Sequence, residues 1–125
     1  MTDSRGPLNR HSQGLGKRGE ELAAKFLIRK KYKILARNWR DRGGEIDIVA
    51  RDGGTLVFVE VKTRASDSFA QPVESVGYRK QDKLRRLAER YIAQQDLANC
   101  QARFDVISII DQGGKPAIEH LENAF

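Results

Sequence analysis

Two apolar segments joined by Asp52-Gly53-Gly54 limit the fold of this chain more than any other feature. The segments Glu45–Ala50 and Thr55–Thr63 are rich in Val, Ile and Phe, which favour β-strands. A break of the Asp-Gly-Gly type between two such segments is a strong signal for a hairpin. The sequence therefore predicts an antiparallel pair of strands in the middle of a β-sheet.

The rest of the chain adds two amphipathic helices and three further strands to this hairpin. Apolar residues recur at helical spacing in two segments, and three shorter segments have the composition of strands. The predicted elements are a helix at about Leu15–Lys31, a strand at Tyr32–Trp39, a helix at Val76–Ile92, a strand at Phe104–Ile110 and a weaker edge strand at Pro116–Leu121. The order α-β-β-β-α-β-β predicts an α/β fold, with a mixed sheet flanked by helices.

Two further segments lack any periodicity. Residues 1–13 mix glycine, proline, serine and charged residues, and they predict a flexible N-terminal tail ahead of a single domain at residues 14–125. Residues 64–75 carry Ser, Asp, Gln and Pro72, and they predict a loop long enough to act as a lid over a site.

Composition narrows the classes of protein that this chain can represent. Its 125 residues are 39% apolar and 32% charged, which is globular in composition and enough for one core. The apolar runs are too short for a transmembrane helix, and the N-terminus has no secretory signal, so we predict a cytoplasmic protein. The single cysteine, Cys100, excludes an intramolecular disulfide and any multi-cysteine metal site. A formal net charge of +6 favours an acidic partner such as nucleic acid.

Three charged residues lie inside the apolar strand segments and need an explanation. Asp47, Glu60 and Lys62 are costly to bury there unless they are paired or bound to a metal. A Gly53-Gly54 loop places Asp47 opposite Glu60, and Glu45 opposite Lys62, because side chains alternate along a strand. With a loop of Asp52-Gly53, or of the four residues Arg51–Gly54, Asp47 lies one strand pair along from Glu60 on the same face. Every even-length loop therefore keeps the two acids on one face, and a three-residue loop separates them.

Two carboxylates beside a lysine fit a site for Mg²⁺ or Mn²⁺. Mg²⁺ prefers oxygen ligands and commonly takes one or two protein carboxylates, leaving other positions for water and substrate phosphate. In phosphodiester hydrolysis Lys62 would then orient the attacking water or offset transition-state charge. Glu20, near the start of the first helix, is a candidate for a further ligand. The alternative is a half-exposed sheet in which Glu45–Lys62 and similar pairs are ordinary ion pairs.

The ordered set of motifs resembles that of a known protein family. These motifs are Gly16-x-x-Gly19-Glu20-x-x-Ala23, Asn38-Trp39-Arg40, Gly44-Glu45-Ile46-Asp47, Val57-Phe58-Val59-Glu60-Val61-Lys62-x-Arg64 and Arg103-Phe104-Asp105-Val106. They resemble the YraN family (UPF0102), which is similar to archaeal Holliday junction resolvases of the PD-(D/E)xK, restriction-endonuclease-like superfamily. The resemblance implies a restriction-endonuclease-like core of order α-β-β-β-α-β.

The resemblance also implies roles for individual residues. Asp47 matches the first acid of the superfamily motif, Glu60 and Lys62 match its E-x-K element, and Glu20 matches the acid on the first helix. These four residues are the predicted catalytic set, with Glu20, Asp47 and Glu60 as metal ligands. One departure weakens the match, because Ile46 stands before Asp47 where the superfamily often has proline.

We therefore predict a metal-dependent endonuclease that acts on DNA, in particular on branched or structured DNA. Basic residues on both helices and after the third strand are the expected contacts to the phosphate backbone: Lys17, Arg18, Arg64, Lys80, Lys83 and Arg86. Resolvases cut two strands symmetrically as dimers, so the resemblance also suggests a homodimer. The alternative is a nucleic-acid-binding accessory module with the same fold and no catalysis.

Two residues near the C-terminus carry further expectations. Asp105 lies in a strand that should be buried, and it either holds a basic residue beside the site or caps the start of the strand. His120 has no acid or cysteine at metal-ligand spacing, and we expect it on the surface.

Overall fold

Five strands form one mixed sheet with a helix on each face. A computed structural model describes residues 7–65, 76–112 and 115–125. The elements are α1 (Pro7–Arg29), β1 (Lys33–Asp41), β2 (Gly44–Asp52), β3 (Thr55–Ala65), α2 (Tyr78–Gln94), β4 (Gln101–Gln112) and β5 (Lys115–Leu121). The strands lie side by side in sequence order, with β3 and β4 parallel and all other neighbours antiparallel. The predicted α/β class and the predicted order of elements are confirmed.

The core has two layers because the central strands are covered on both faces. Ala23 and Leu27 of α1 pack in one cluster with residues of β2, β3 and β4. Leu84, Leu87 and Tyr91 of α2 pack in a second cluster on the opposite face. Burial of each large apolar side chain contributes about 1.5–3 kcal/mol to folding, so both helices are held mainly by these apolar stripes.

The hairpin of β2 and β3 has a two-residue loop. Asp52 pairs with Thr55 across Gly53-Gly54, and the register continues to the pair Ile48↔Val59. Gly53 has a φ of +60°, a conformation that glycine adopts without the strain imposed by a side chain. The regular pairing ends there, before the predicted pairs Asp47–Glu60 and Glu45–Lys62.

The first helix differs from its predicted boundary. It begins at Pro7 and not near Leu15, so it includes the second half of the segment predicted as a tail. Proline is favoured in a first helical turn, because its missing N–H has no partner there and its fixed φ suits the helix. The predicted lid at residues 64–75 begins two residues later, because residues 64 and 65 belong to β3. Residues 1–6 and 66–75 lie outside the described residues.

Within the described part of the chain, neither helix is long and apolar enough to cross a membrane. The cytoplasmic location stays a prediction.

Candidate active site

A break in the alternation of β1 and β2 positions the central acid of the site. Ile46 packs on the α2 face of the sheet and Ile48 on the α1 face, although residues two apart in a regular strand share a face. Asp47 lies between them, and its neighbour across the sheet is Asn38, which has a φ of +51°. Asparagine tolerates this left-handed conformation better than most residues. Both strands therefore change face at the same level of the sheet.

This break turns the Asp47 side chain toward β3. Its Oδ2 accepts a hydrogen bond of 2.8 Å from the backbone N–H of Val61, just beyond the last regular pair. Burial is the main reason that the pKa of Asp47 rises to about 7. The neighbouring carboxylates of Glu60, Glu20 and Glu45 raise it further, and the Val61 hydrogen bond offsets only part of the rise. Asp47 therefore holds a proton to higher pH than an exposed aspartate does.

Three carboxylates from two elements, α1 and β2, converge at this point. Oxygen atoms of Glu20 on α1, and of Glu45 and Asp47 on β2, all lie within 4.8 Å of one another. The amide nitrogen of Asn38 joins the two glutamates, because it donates to Glu20 Oε1 at 3.0 Å and to Glu45 Oε2 at 3.3 Å. Arg40 forms an ion pair of 3.2 Å with the other Glu45 oxygen. The side chains that bring the acids together therefore come largely from β1.

Close packing of α1 against β3 determines where Glu20 lies. Gly19 is buried, and a Cβ atom added there would collide with the hydroxyl of Thr63. The glycine lets the helix approach the strand at the residue before Glu20. This contact explains why a glycine precedes Glu20 in the sequence.

Glu60 lies on the α2 side of the sheet and does not join the three-carboxylate group. It is buried, and its Oε2 forms an ion pair with Lys80 of α2. Both residues line a cleft of about 500 Å³ together with Asp47, Glu45 and Lys83. The cleft therefore has a wall of acids on β2 and β3 and a wall of lysines on α2.

Four other predicted residues are not among those that line this cleft: Lys62, Arg64, Lys17 and Arg18. Lys62 follows Glu60 on the same face of β3 and is half-buried. Arg64 is half-buried and donates a long hydrogen bond of 3.4 Å to the Ser108 hydroxyl. Lys17 and Arg18 are exposed on α1, in the turn before Glu20. Their roles in binding nucleic acid stay predictions.

The chemistry of the donors fits a small divalent cation. Two oxygens bound to one Mg²⁺ at about 2.1 Å lie at most about 4.2 Å apart, slightly closer than the upper limit of the observed group. Burial is the main cause of the raised pKa of Asp47, and the neighbouring carboxylates add to it. A cation bound among these carboxylates would favour their ionised forms.

Asp105 and His120 lie away from this cleft, in a polar network on the α1 face. Asp105 is fully buried, and it accepts hydrogen bonds from Arg103, from His120 Nε2 at 2.7 Å and from the backbone N–H of Asn123. Burial raises its pKa, but these hydrogen bonds outweigh burial and hold the pKa below its usual value. Asp105 thus holds a basic residue, as one alternative expected, but none of its partners lines the cleft.

The expectation for His120 is wrong. Its side chain is only 3% exposed, because it lies between Asp105 and Lys30, whose ammonium donates to Nδ1 at 2.9 Å. The rings of Phe26 and Tyr32 pack edge-on against it. These contacts could not be predicted from residue spacing, because they join residues far apart in the chain.

Comparison with known proteins identifies relatives along nearly the whole chain. Residues 19–109 match the model of the family described as "Uncharacterised protein family UPF0102". A UPF0102 protein of Geobacter metallireducens is 53% identical over 115 residues, which cover 92% of this chain and 94% of the relative. UPF0102 proteins of Nocardia farcinica and Thermodesulfovibrio yellowstonii are 49% and 51% identical, over 90% and 89% of this chain and 90% and 95% of the relatives. The matched residues include Glu20, Asn38, Glu45, Asp47 and Glu60.

Proposed function

We propose that this chain, which belongs to the UPF0102 family, is a metal-dependent endonuclease that hydrolyses phosphodiester bonds of DNA. The observation that carries the proposal is the convergence of Glu20, Glu45 and Asp47 at the edge of a cleft whose opposite wall is basic. Carboxylates suit a cation, and lysines suit the phosphate of a substrate. The proposal extends to a restriction-endonuclease-like fold, with Mg²⁺ or Mn²⁺ as cofactor.

In this proposal the acids hold the cation and the lysines act on the phosphate. Asp47 and Glu20 would bind the cation, with Glu45 or Glu60 as a further ligand. The cation, when bound, supplies a water of lowered pKa and offsets charge that develops on the phosphate. A bound cation would favour the ionised form of Asp47, because its positive charge would lower the pKa of the carboxyl. The Val61 N–H keeps its carboxylate in place throughout.

Lys62 and Lys80 have separate roles in this proposal. Lys62, on the same face of β3 as Glu60, would orient the attacking water or offset transition-state charge. Lys80 holds Glu60 in an ion pair, and its side chain is 52% exposed to the cleft and solvent. A substrate phosphate entering the cleft can therefore take Lys80 as a partner and leave Glu60 available to the cation.

The substrate class that we propose is branched or otherwise structured DNA, with the protein acting as a homodimer. Backbone and shape would determine where it binds, since phosphate contacts carry no sequence information. Predicted backbone contacts are Lys17, Arg18, Arg64, Lys80, Lys83 and Arg86.

Cleavage of a panel of linear, flapped and four-way DNA substrates with Mg²⁺ or Mn²⁺ tests this proposal. Lys62→Ala should lower the rate by roughly 10²–10⁴-fold, the usual contribution of a group that assists proton transfer or stabilises transition-state charge. Lys25→Ala is the matched control, because Lys25 is exposed on α1, on the other face of the sheet. Absence of metal-dependent products from the whole panel would overturn the proposal.

One observation favours a second candidate, a binding module without catalysis. The Lys80–Glu60 ion pair already neutralises one of the predicted metal ligands. In that case Asp47→Ala and Lys62→Ala would leave DNA affinity unchanged, and no product would depend on a divalent cation.

A further inference from the structure

A second groove, lined by arginines, lies next to the acidic cleft. It has a volume of about 410 Å³ and is lined by Arg42, Arg79, Lys83, Arg86 and Arg90, with Asp82 as its only carboxylate. Lys83 and Leu87 line both the groove and the cleft, so the two depressions are continuous. A molecule bound in the cleft can therefore extend into the groove.

The helical spacing of these cations makes the groove a linear track. Arg79, Lys83, Arg86 and Arg90 recur at intervals of four, three and four residues, which places them on one side of α2. Over this span the helix rises about 16 Å. Successive phosphates of one DNA strand advance about 3.4 Å along the duplex axis, so the track is long enough for more than one phosphate.

Two backbone features organise the groove on its β1–β2 side. Arg90 donates a hydrogen bond of 2.8 Å to the carbonyl oxygen of Arg42, which ties the turn between β1 and β2 to α2. A Cβ atom at Gly44 would lie 2.7 Å from Lys83 Cε, so the glycine leaves room for the lysine to cross the strand. The Arg90 partner is uncharged, and the guanidinium keeps its full positive charge.

The charge of the groove is not neutralised within the part of the chain that the structure describes. None of its five cations forms an ion pair there, whereas Arg37 and Arg103, on the α1 face, are paired with Glu21 and Asp105. Adjacent unpaired cations repel each other, and a bound polyanion relieves that repulsion. If these cations only kept an exposed helix face in water, neither the concave shape of the groove nor its continuity with the cleft would be needed.

We propose that this arginine groove binds the phosphates of a DNA strand next to the one that lies in the cleft. The inference rests on the proposed nuclease function and deepens it, because it assigns the path of the substrate away from the acids. The ligand is the phosphodiester backbone and not the bases, since the groove offers cations and no apolar platform of stacked rings among its lining residues.

Affinity for a fluorescein-labelled four-way DNA junction, measured by fluorescence anisotropy with EDTA present, tests the groove without catalysis. The salt dependence is measured between about 50 and 200 mM for wild type, Arg79→Gln, Arg86→Gln and Arg29→Gln. Arg29 is an exposed arginine at the end of α1, and it controls for the loss of one positive charge. Each groove variant should bind more weakly and reduce the slope of log K against log salt by about 0.9, one phosphate contact.

Equal effects in Arg29→Gln and the groove variants, or unchanged slopes in all of them, would overturn the inference. Displacement of the DNA by poly-glutamate of the same total charge would also overturn it, because the groove would then not select phosphate. The same preparations are assayed for cleavage with Mg²⁺. If the wild type binds DNA through the groove but never cuts it, only the nuclease proposal is refuted. If the wild type cuts DNA but the groove variants keep the wild-type salt dependence of binding, only the groove proposal is refuted.

Discussion

Replacement of Asp47 by asparagine should stabilise the metal-free protein at neutral and alkaline pH. The folded-state pKa of about 7 lies above the ordinary aspartate value of 3.8, so the proton on Asp47 favours the folded state. Below pH 3.8 the group is protonated in both states. As pH rises toward 7 the unfolded chain ionises first, and the stability that the proton supplied is lost. Above pH 7 this loss is complete.

The size of the effect follows from the shift. About 3 pKa units correspond to roughly 4 kcal/mol, and partial exposure of the side chain reduces this to about 2–4 kcal/mol. Asp47→Asn removes the ionisation, while its side-chain oxygen can still accept from the Val61 N–H. The variant should therefore be about 2–4 kcal/mol more stable than wild type at pH 8 with EDTA, and nearly equal to it at pH 4.

Urea denaturation across this pH range measures the difference directly. Mg²⁺ should stabilise the wild type at pH 8, by about 1.4 kcal/mol at ten times its dissociation constant, and should leave Asp47→Asn unaffected. Glu89→Gln is the control, since Glu89 is an exposed helix carboxylate outside the cleft. Lower stability of Asp47→Asn at pH 8 would refute the reasoning, because sheet ion pairs predict that result.

Two further predictions concern packing and the buried network. Gly19→Ala should destabilise the protein by roughly 1–3 kcal/mol in thermal denaturation, because the added Cβ collides with Thr63. Gly16→Ala should stabilise it by up to about 1 kcal/mol, because the added Cβ has no atom within 4 Å and alanine favours a helix more than glycine does. Equal effects of the two substitutions would contradict this account. His120→Ala should cost about 1–3 kcal/mol at pH 7, because it removes a hydrogen bond from buried Asp105. The stability that ionised Asp105 contributes to the wild type should be lost as pH falls below 3.8, toward the lowered pKa of Asp105. A wild-type stability curve that is flat through this acid range would argue against the network.

The order of elements and the hairpin could be predicted because both depend on local patterns. Glycines at 53 and 54 and the alternation of β2 and β3 are enough to give the register Asp52↔Thr55. The acids at 47 and 60 stand out within apolar strands for the same reason. Their proximity in one cleft could therefore be anticipated from sequence alone.

The detailed ligand geometry could not be predicted, because it depends on a departure from regular strand geometry. The prediction of an Asp47–Glu60 pair assumes unbroken alternation, but Asn38 and Asp47 interrupt it together. As a result Glu45, whose role the sequence left open, joins Glu20 and Asp47, while Glu60 pairs with Lys80. Only the tolerance of asparagine for a positive φ hints at this break.

Two other differences have their cause in contacts between distant parts of the chain. His120 is buried by residues of α1 and β4, which no spacing rule connects to it. Arg42, in the turn between β1 and β2, forms part of the groove beside α2, and its carbonyl accepts a hydrogen bond from Arg90. The sequence shows the positive charge of α2, but it does not show the concave surface that concentrates it.

Single-turnover cleavage of a four-way DNA junction by wild type and Asp47→Asn, with Mg²⁺ and with EDTA, tests the central claim most directly. The account predicts that wild type forms product only with Mg²⁺. Asp47→Asn should be at least about 100-fold slower although it is the more stable protein. Equal rates for the two proteins, or product formed by wild type in EDTA, would contradict the claim that the carboxylates of this cleft form a metal-dependent active site.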